Sequence, residues 1–136
     1  MQSNSAIALS LIIGWTLFLL LLMEGMRIRY LLAGTVASNQ LKPDNSNLSP
    51  FLQRLSRAHA NCYECFPIIG GLLIVALLTN RAAVTDGLAF WLLGARVVQS
   101  TIHMISTSVM AANLRFMAFA VQMVIAIYWF WVLLVH

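Results

Sequence analysis

Arg54, Arg57, Asn61 and Glu64 follow one another closely and lead without a break into residues 68–78, an apolar run fit for lipid. Ionisable groups held at such a place are costly and mark a site by default. A helix turns about 100° per residue, so with Arg54 at zero the other three fall at roughly 300°, 340° and 280°, one stripe. Arg96, Gln99 and His103 fall at roughly 0°, 300° and 340° on another helix, again one stripe. Arg115 and Gln122, two turns apart, share a third face, with Phe119 beside them. Guanidinium groups outnumber carboxylates here, and a guanidinium grips a carboxylate with a two-pronged fork. Glu64 offers the complement, an acceptor for an ammonium group, and Asn61 both donates and accepts. The stripes therefore suit a small anionic, zwitterionic molecule arriving from water, with an apolar co-substrate delivered by the bilayer. The competing reading is that Arg54, Arg57 and Arg96 form structural ion pairs with Glu64, Glu24 or Asp86.

The elements that must hold these residues are membrane helices. The chain has 136 residues, 61% hydrophobic and only 9% charged, with mean hydropathy +0.86; soluble domains carry about 25% charged residues. A net charge of +4 would suit nucleic acid, but the basic residues cluster at segment ends, as membrane topology requires. Nucleic acid is therefore not expected as a partner; membrane lipids are. Four helices are predicted, over about 6–37, 49–78, 83–107 and 114–134. The first contains a charge-free run long enough to span a bilayer, and too long, without a basic N-terminus, for a cleavable signal. Ser49 and Pro50 read as the N-cap and first position of the second helix, and Gly70-Gly71 within it reads as a place where a neighbouring helix approaches closely. An aromatic cluster, Tyr128-Trp129-Phe130-Trp131, closes the fourth. Arg27, Arg29, Lys42, Arg54, Arg57 and Arg115 gather around the 1–2 and 3–4 connections, against Arg81 on the other side. The positive-inside rule places the former in the cytoplasm. No repeat or second domain is seen.

Other residues invite chemistry less strongly. Cys62 and Cys65 form a C-x-x-C, but not at the start of a helix in an α/β fold, where a redox pair belongs. With His59 they offer three metal ligands and no fourth, so no metal is expected. His103 reads either as a ligand contact or general acid, or as an interhelical histidine. His59 points away from the stripe and reads as structural, and Gln122 reads as an interhelical hydrogen-bonding group.

The pattern Arg54-x-x-Arg57-Ala-x-x-Asn61-x-x-Glu64-x-x-Pro67 resembles the second-helix motif of the MAPEG superfamily, the membrane-associated proteins of eicosanoid and glutathione metabolism. Asn61-Cys62-x-Glu64-x-Phe66-Pro67 is most similar to the leukotriene C4 synthase branch and to bacterial-type microsomal glutathione transferases. Gly94-Ala95-Arg96-Val97, followed by Gln99 and His103, resembles the third-helix motif, and Arg115 stands near the start of the fourth helix as the family's thiol-activating arginine does. The resemblance covers nearly the whole chain and implies one all-α domain over 1–136, a four-helix membrane bundle forming a homotrimer. It implies glutathione as co-substrate between adjacent subunits, bound by Arg57, Asn61, Glu64, Arg96, Gln99 and His103, with Arg115 as the catalytic residue stabilising the thiolate. It implies a glutathione transferase that also acts as a peroxidase, attacking hydrophobic electrophiles or lipid hydroperoxides, in a bacterial inner membrane with its site facing the cytoplasm. Arg27 or Arg29 is a looser match to a helix-1 contact. Departures are specific. Gln99 replaces an aromatic residue or His, His103 replaces a Tyr, Phe116 and Phe119 fill positions that are polar or phenolic in some members, and Ala60 stands where prostaglandin-forming members carry an arginine. These departures argue against a dedicated prostaglandin synthase and keep open a non-catalytic protein of the same fold that binds lipid or glutathione.

Overall fold

A computed structural model describes residues 2–136. Four helices follow one another: α1 (Asn4–Leu32), α2 (Pro50–Leu78), α3 (Ala83–Ile105) and α4 (Val109–Val135), with a short 3-10 turn at Ser38–Gln40 in the first connection. All four are long and apolar enough to cross a membrane, and there is no strand among the described residues. The protein is an all-helical integral membrane bundle.

Local chemistry sets the helix ends. Ser3 starts α1 by accepting from the Ala6 N–H at 3.2 Å. The helix stops at Leu32 rather than near residue 37 because Gly34 takes φ +73°. Its N–H bonds the Leu31 carbonyl at 3.1 Å and the Thr35 N–H bonds Tyr30 at 3.3 Å, the glycine-terminated Schellman arrangement. Asn80 repeats it after α2 with φ 57°. Ser49 caps α2 through the Leu52 N–H, with Pro50 at the first turn. The start of α4 differs from the expected residue 114. Ser108 accepts from the Ala111 N–H at 3.2 Å, so residues assigned to a loop form the first turn. Arg115 therefore lies about 9 Å along the helix from Val109 rather than at its mouth.

Helices α1, α2 and α3 pack on one another; α4 lies along α3 and touches α2 over less of its length. Two apolar clusters fill the interior. One holds Ile12, Ile69, Leu73, Leu92, Ile125 and Trp129; the other holds Leu19, Met23, Leu52, Leu55 and Cys62. Lipid is as apolar as leucine, so these clusters hold by close packing rather than by escape from water. The surface is ringed by exposed large apolar residues, among them Phe18, Trp91, Val124 and Ile127, as a lipid-facing surface requires. Gly70 is buried, and a Cβ there would meet the Phe66 ring at 2.6 Å. The glycine thus makes room for a ring of its own helix, not for a neighbouring backbone. Gly71 has open space instead.

Both ends of the bundle are tied by closed polar contacts. At one end, Asp86 Oδ1 accepts from the Ser5 N–H at 2.8 Å and from its hydroxyl at 2.6 Å. There Arg81 also donates to the Leu133 and Val132 carbonyls, both at 2.9 Å, finishing α4. At the other end Arg27 pairs with Glu24 at 2.7 Å. It also donates to Asn45 Oδ1 at 2.7 Å and to the Lys42 and Pro43 carbonyls. Arg27 thereby clasps the first connection, with all three guanidinium nitrogens engaged within the chain.

Candidate functional site

The polar residues of α2, α3 and α4 meet in a layer between the two apolar clusters. Leu92 and Arg96 are about one turn apart on α3, as are Gln122 and Ile125 on α4, so the layer begins one turn beyond the first cluster. Arg96 is its centre and is 1% exposed. Its Nε donates to Gln122 Oε1 at 2.9 Å. Its first terminal nitrogen donates to the Asn61 side-chain oxygen and, at 3.4 Å, to the Asn61 backbone carbonyl. Its second terminal nitrogen is buried without a partner. Gln122 Nε2 then donates to Gln99 Oε1 at 2.8 Å and to the Ala118 carbonyl at 3.0 Å. One relay, Asn61–Arg96–Gln122–Gln99, links three helices.

Beside the relay opens a cleft of about 250 Å³. Asn61, Gln99, His103 and Arg115 form its polar side, and Phe116 and Phe119 its apolar side. Arg115 Nε and His103 Nδ1 are buried and unpartnered.

No structural ion pair accounts for this positive charge. The single ion pair among the described residues is Arg27–Glu24, and Asp86 is engaged by Ser5. Neither acid reaches Arg54, Arg57, Arg96 or Arg115. Removing charge from water without a counter-charge costs several kcal/mol, and no carboxylate among the described residues offsets that cost for Arg96.

The α2 stripe divides. Asn61 turns into the relay. Arg54 leaves the site altogether, donating from Nε to the Met104 carbonyl at 2.8 Å and so closing the end of α3. Arg57 and Glu64 are exposed on the outer face of α2. Of the residues expected from the sequence, Asn61, Gln99, His103 and Arg115 line one cleft, Arg96 stands behind it, and Arg57 and Glu64 lie outside it.

The sequence profile of the MAPEG family matches residues 5–135. This chain belongs to the MAPEG family. No individual curated protein or solved structure matches it. MAPEG membership identifies a multi-pass membrane protein of glutathione and eicosanoid metabolism, and the match runs through all four helices.

Some of this MAPEG site was not legible beforehand. Gln122 is the hub of the relay rather than one more interhelical contact; its spacing from Arg115 was visible, but not which side chains it would bridge. Ala112 lines the cleft, in a turn that sequence reading assigned to a loop. His59 stacks near Tyr63, ring centroids 5.4 Å apart, away from the cleft. Cys62 lies 3.2 Å from the Ser100 hydroxyl, as a buried residue between helices. No group of His, Cys, Asp and Glu suited to a metal occurs among the described residues.

Proposed function

We propose that this MAPEG protein is a glutathione transferase of the leukotriene C4 synthase and microsomal transferase type, with peroxidase activity on lipid hydroperoxides. One observation carries the reading: Arg115 in the cleft wall and Arg96 behind it each keep a buried nitrogen without an acceptor, and no carboxylate among the described residues pairs with either. Glutathione brings carboxylates and a thiol that becomes an anion. A cation beside the sulfur in a poorly solvated site lowers the thiol's pKa and so supplies the nucleophile. Arg115 takes this role, with Asn61, Arg96, Gln99 and His103 around it.

In the transfer reaction the thiolate sulfur gives its electron pair to an electrophilic carbon, a C–S bond forms, and the leaving group departs with its bonding pair. With a hydroperoxide the sulfur attacks the terminal oxygen, the O–O bond breaks, and the lipid alcohol leaves after taking a proton. A second glutathione then converts the sulfenic acid to disulfide and water. The exposed Phe116 at the cleft faces the direction from which an apolar co-substrate arrives.

The subunit alone is short of a wall. A cleft of about 250 Å³ is below the roughly 300–1,000 Å³ typical of sites that enclose a small molecule. Arg57 and Glu64 are exposed on a membrane helix, where lipid cannot satisfy them. Both facts support a homotrimer in which a neighbouring copy covers the α2 face and Arg57 and Glu64 hold the glutathione carboxylate and ammonium groups. The basic residues around the 1–2 and 3–4 connections support a cytoplasmic site, in a bacterial inner membrane.

A second reading, a lipid- or glutathione-binding protein without turnover, is favoured by Phe116 and Phe119, which leave the cleft without a phenolic hydroxyl. Mixing the purified protein with glutathione and an activated aryl halide separates the two. The transferase reading expects conjugate formation above the uncatalysed rate; saturable glutathione binding with no conjugate would establish the second.

A further inference from the structure

Arginine is the only member of the relay that donates and never accepts. That fixes the direction of every hydrogen bond that follows, including which way round each side-chain amide sits. Arg96 Nε must meet an oxygen, so Gln122 presents Oε1 to it and is left with Nε2 to give. Gln122 Nε2 must in turn meet an oxygen, so Gln99 presents Oε1 and its own Nε2 is left over. The same logic runs through Asn61, whose side-chain oxygen is taken by Arg96, leaving Nδ2. Neither amide nitrogen has a partner among the described residues, and both residues line the cleft. Arg115 Nε adds a third donor.

We infer that Gln122 is a positioning residue that sets the polarity of the cleft: it carries the donor-only character of Arg96 through to the outward amide N–H of Gln99, so that the cleft selects the deprotonated, acceptor-only form of a thiol over the neutral form. The neutral thiol would bring a hydrogen into a ring of hydrogens. The thiolate meets N–H groups on several sides. This goes beyond the charge of Arg115, because a cation favours an anion from any direction, whereas amide N–H groups do so only if they are turned the right way. The inference rests on the glutathione reading for its natural ligand but not for its physics.

The test is a thiol titration by thiolate absorbance in the detergent-solubilised, full-length protein, with glutathione and, separately, with benzenethiol, which needs none of the peptide contacts. Gln122→Met and Gln99→Met are each made, then combined; neither changes a charge. S-methylglutathione, which has no thiol to ionise, reports binding and folding. The expected result is a bound-thiol pKa raised by about one unit in either single variant, about tenfold less thiolate, with S-methylglutathione affinity altered by less than that factor. The double variant should be no worse than either single, the non-additivity of residues acting as one unit. An unchanged thiol pKa in Gln122→Met, additive effects, or equal losses of thiolate and S-methylglutathione affinity would overturn it. Should Gln122→Met not fold, Gln99→Met alone decides, since it leaves the Arg96–Gln122 bond in place; an unchanged pKa there also overturns the inference. Wild-type protein that binds no glutathione but still lowers the benzenethiol pKa would sink the glutathione reading and leave the polarity claim standing; no effect on benzenethiol would sink the claim itself.

Discussion

Arg27, Arg54 and Arg81 sit towards the ends of the bundle and donate to oxygens of their own chain: Glu24, Asn45 and loop carbonyls for the first, Met104 for the second, Leu133 and Val132 for the third. Arg96 and Arg115 sit at the middle layer and its cleft, and each keeps a buried nitrogen with no acceptor. Residue type is the same in both regions. What differs is whether the fold supplies an acceptor. Where it does, arginine is a strap that fixes a helix end or a loop. Where it does not, a donor is left for a ligand, and under the proposed function that open donor, more than the presence of arginine, marks the site.

The contrast makes graded predictions. The largest effect belongs to Arg115→Ala. Losing a donor aimed at developing negative charge costs on the order of 100-fold or more in kcat, while glutathione KM should move by no more than about threefold if binding and activation are separate. Steady-state conjugation kinetics read both numbers. A change confined to KM would move Arg115 from activation to binding.

Next comes Arg27→Met, which removes an ion pair and three further hydrogen bonds at the closed end. Hydrogen bonds of charged groups are worth about 1.5–3 kcal/mol, so a loss near 2 kcal/mol is expected in detergent unfolding. Activity per folded molecule should persist.

Gly70→Ala tests packing away from both sets of charges. The new methyl would overlap the Phe66 ring, and overpacking of this kind costs about 1–3 kcal/mol. Phe66→Leu in the same background should recover part of that stability. A Gly70→Ala protein as stable as the parent would mean that the ring has somewhere else to go.

The smallest effect is the most diagnostic. Arg96 is completely buried, yet Arg96→Met should cost less than about 1 kcal/mol, because relief of an uncompensated buried charge offsets its lost hydrogen bonds. The same variant should lose the thermal stabilisation that glutathione gives the parent. An Arg96→Met protein that falls as far as Arg27→Met would show that the open layer is structural after all, and the contrast would collapse.

Much of the fold was legible because lipid imposes simple rules. Long apolar runs became helices, and Ser49-Pro50 marked the start of α2 where it was expected. The misses are local. Gly34 ends α1 through a left-handed backbone that leaves little trace in composition. Ser108 stands among polar residues that look like a loop, yet it is an N-cap, which sets Arg115 a turn and more inside α4. At the site, helical phase puts Arg54, Arg57, Asn61 and Glu64 on one stripe of α2. Phase cannot say what that side faces. Arg54 finds the end of α3, Asn61 finds Arg96, and Arg57 and Glu64 find no partner among the described residues. Those outcomes depend on where α3 and α4 cross α2, which depends in turn on the packing of residues such as Leu92, Ile125 and Trp129 far along the chain.

The most direct test of the account is the thiolate difference spectrum on adding glutathione to the purified protein at neutral pH. A thiolate band that appears in the parent and disappears in Arg115→Ala, with glutathione still bound, is the predicted result. Saturable glutathione binding with no thiolate band in the parent would contradict it.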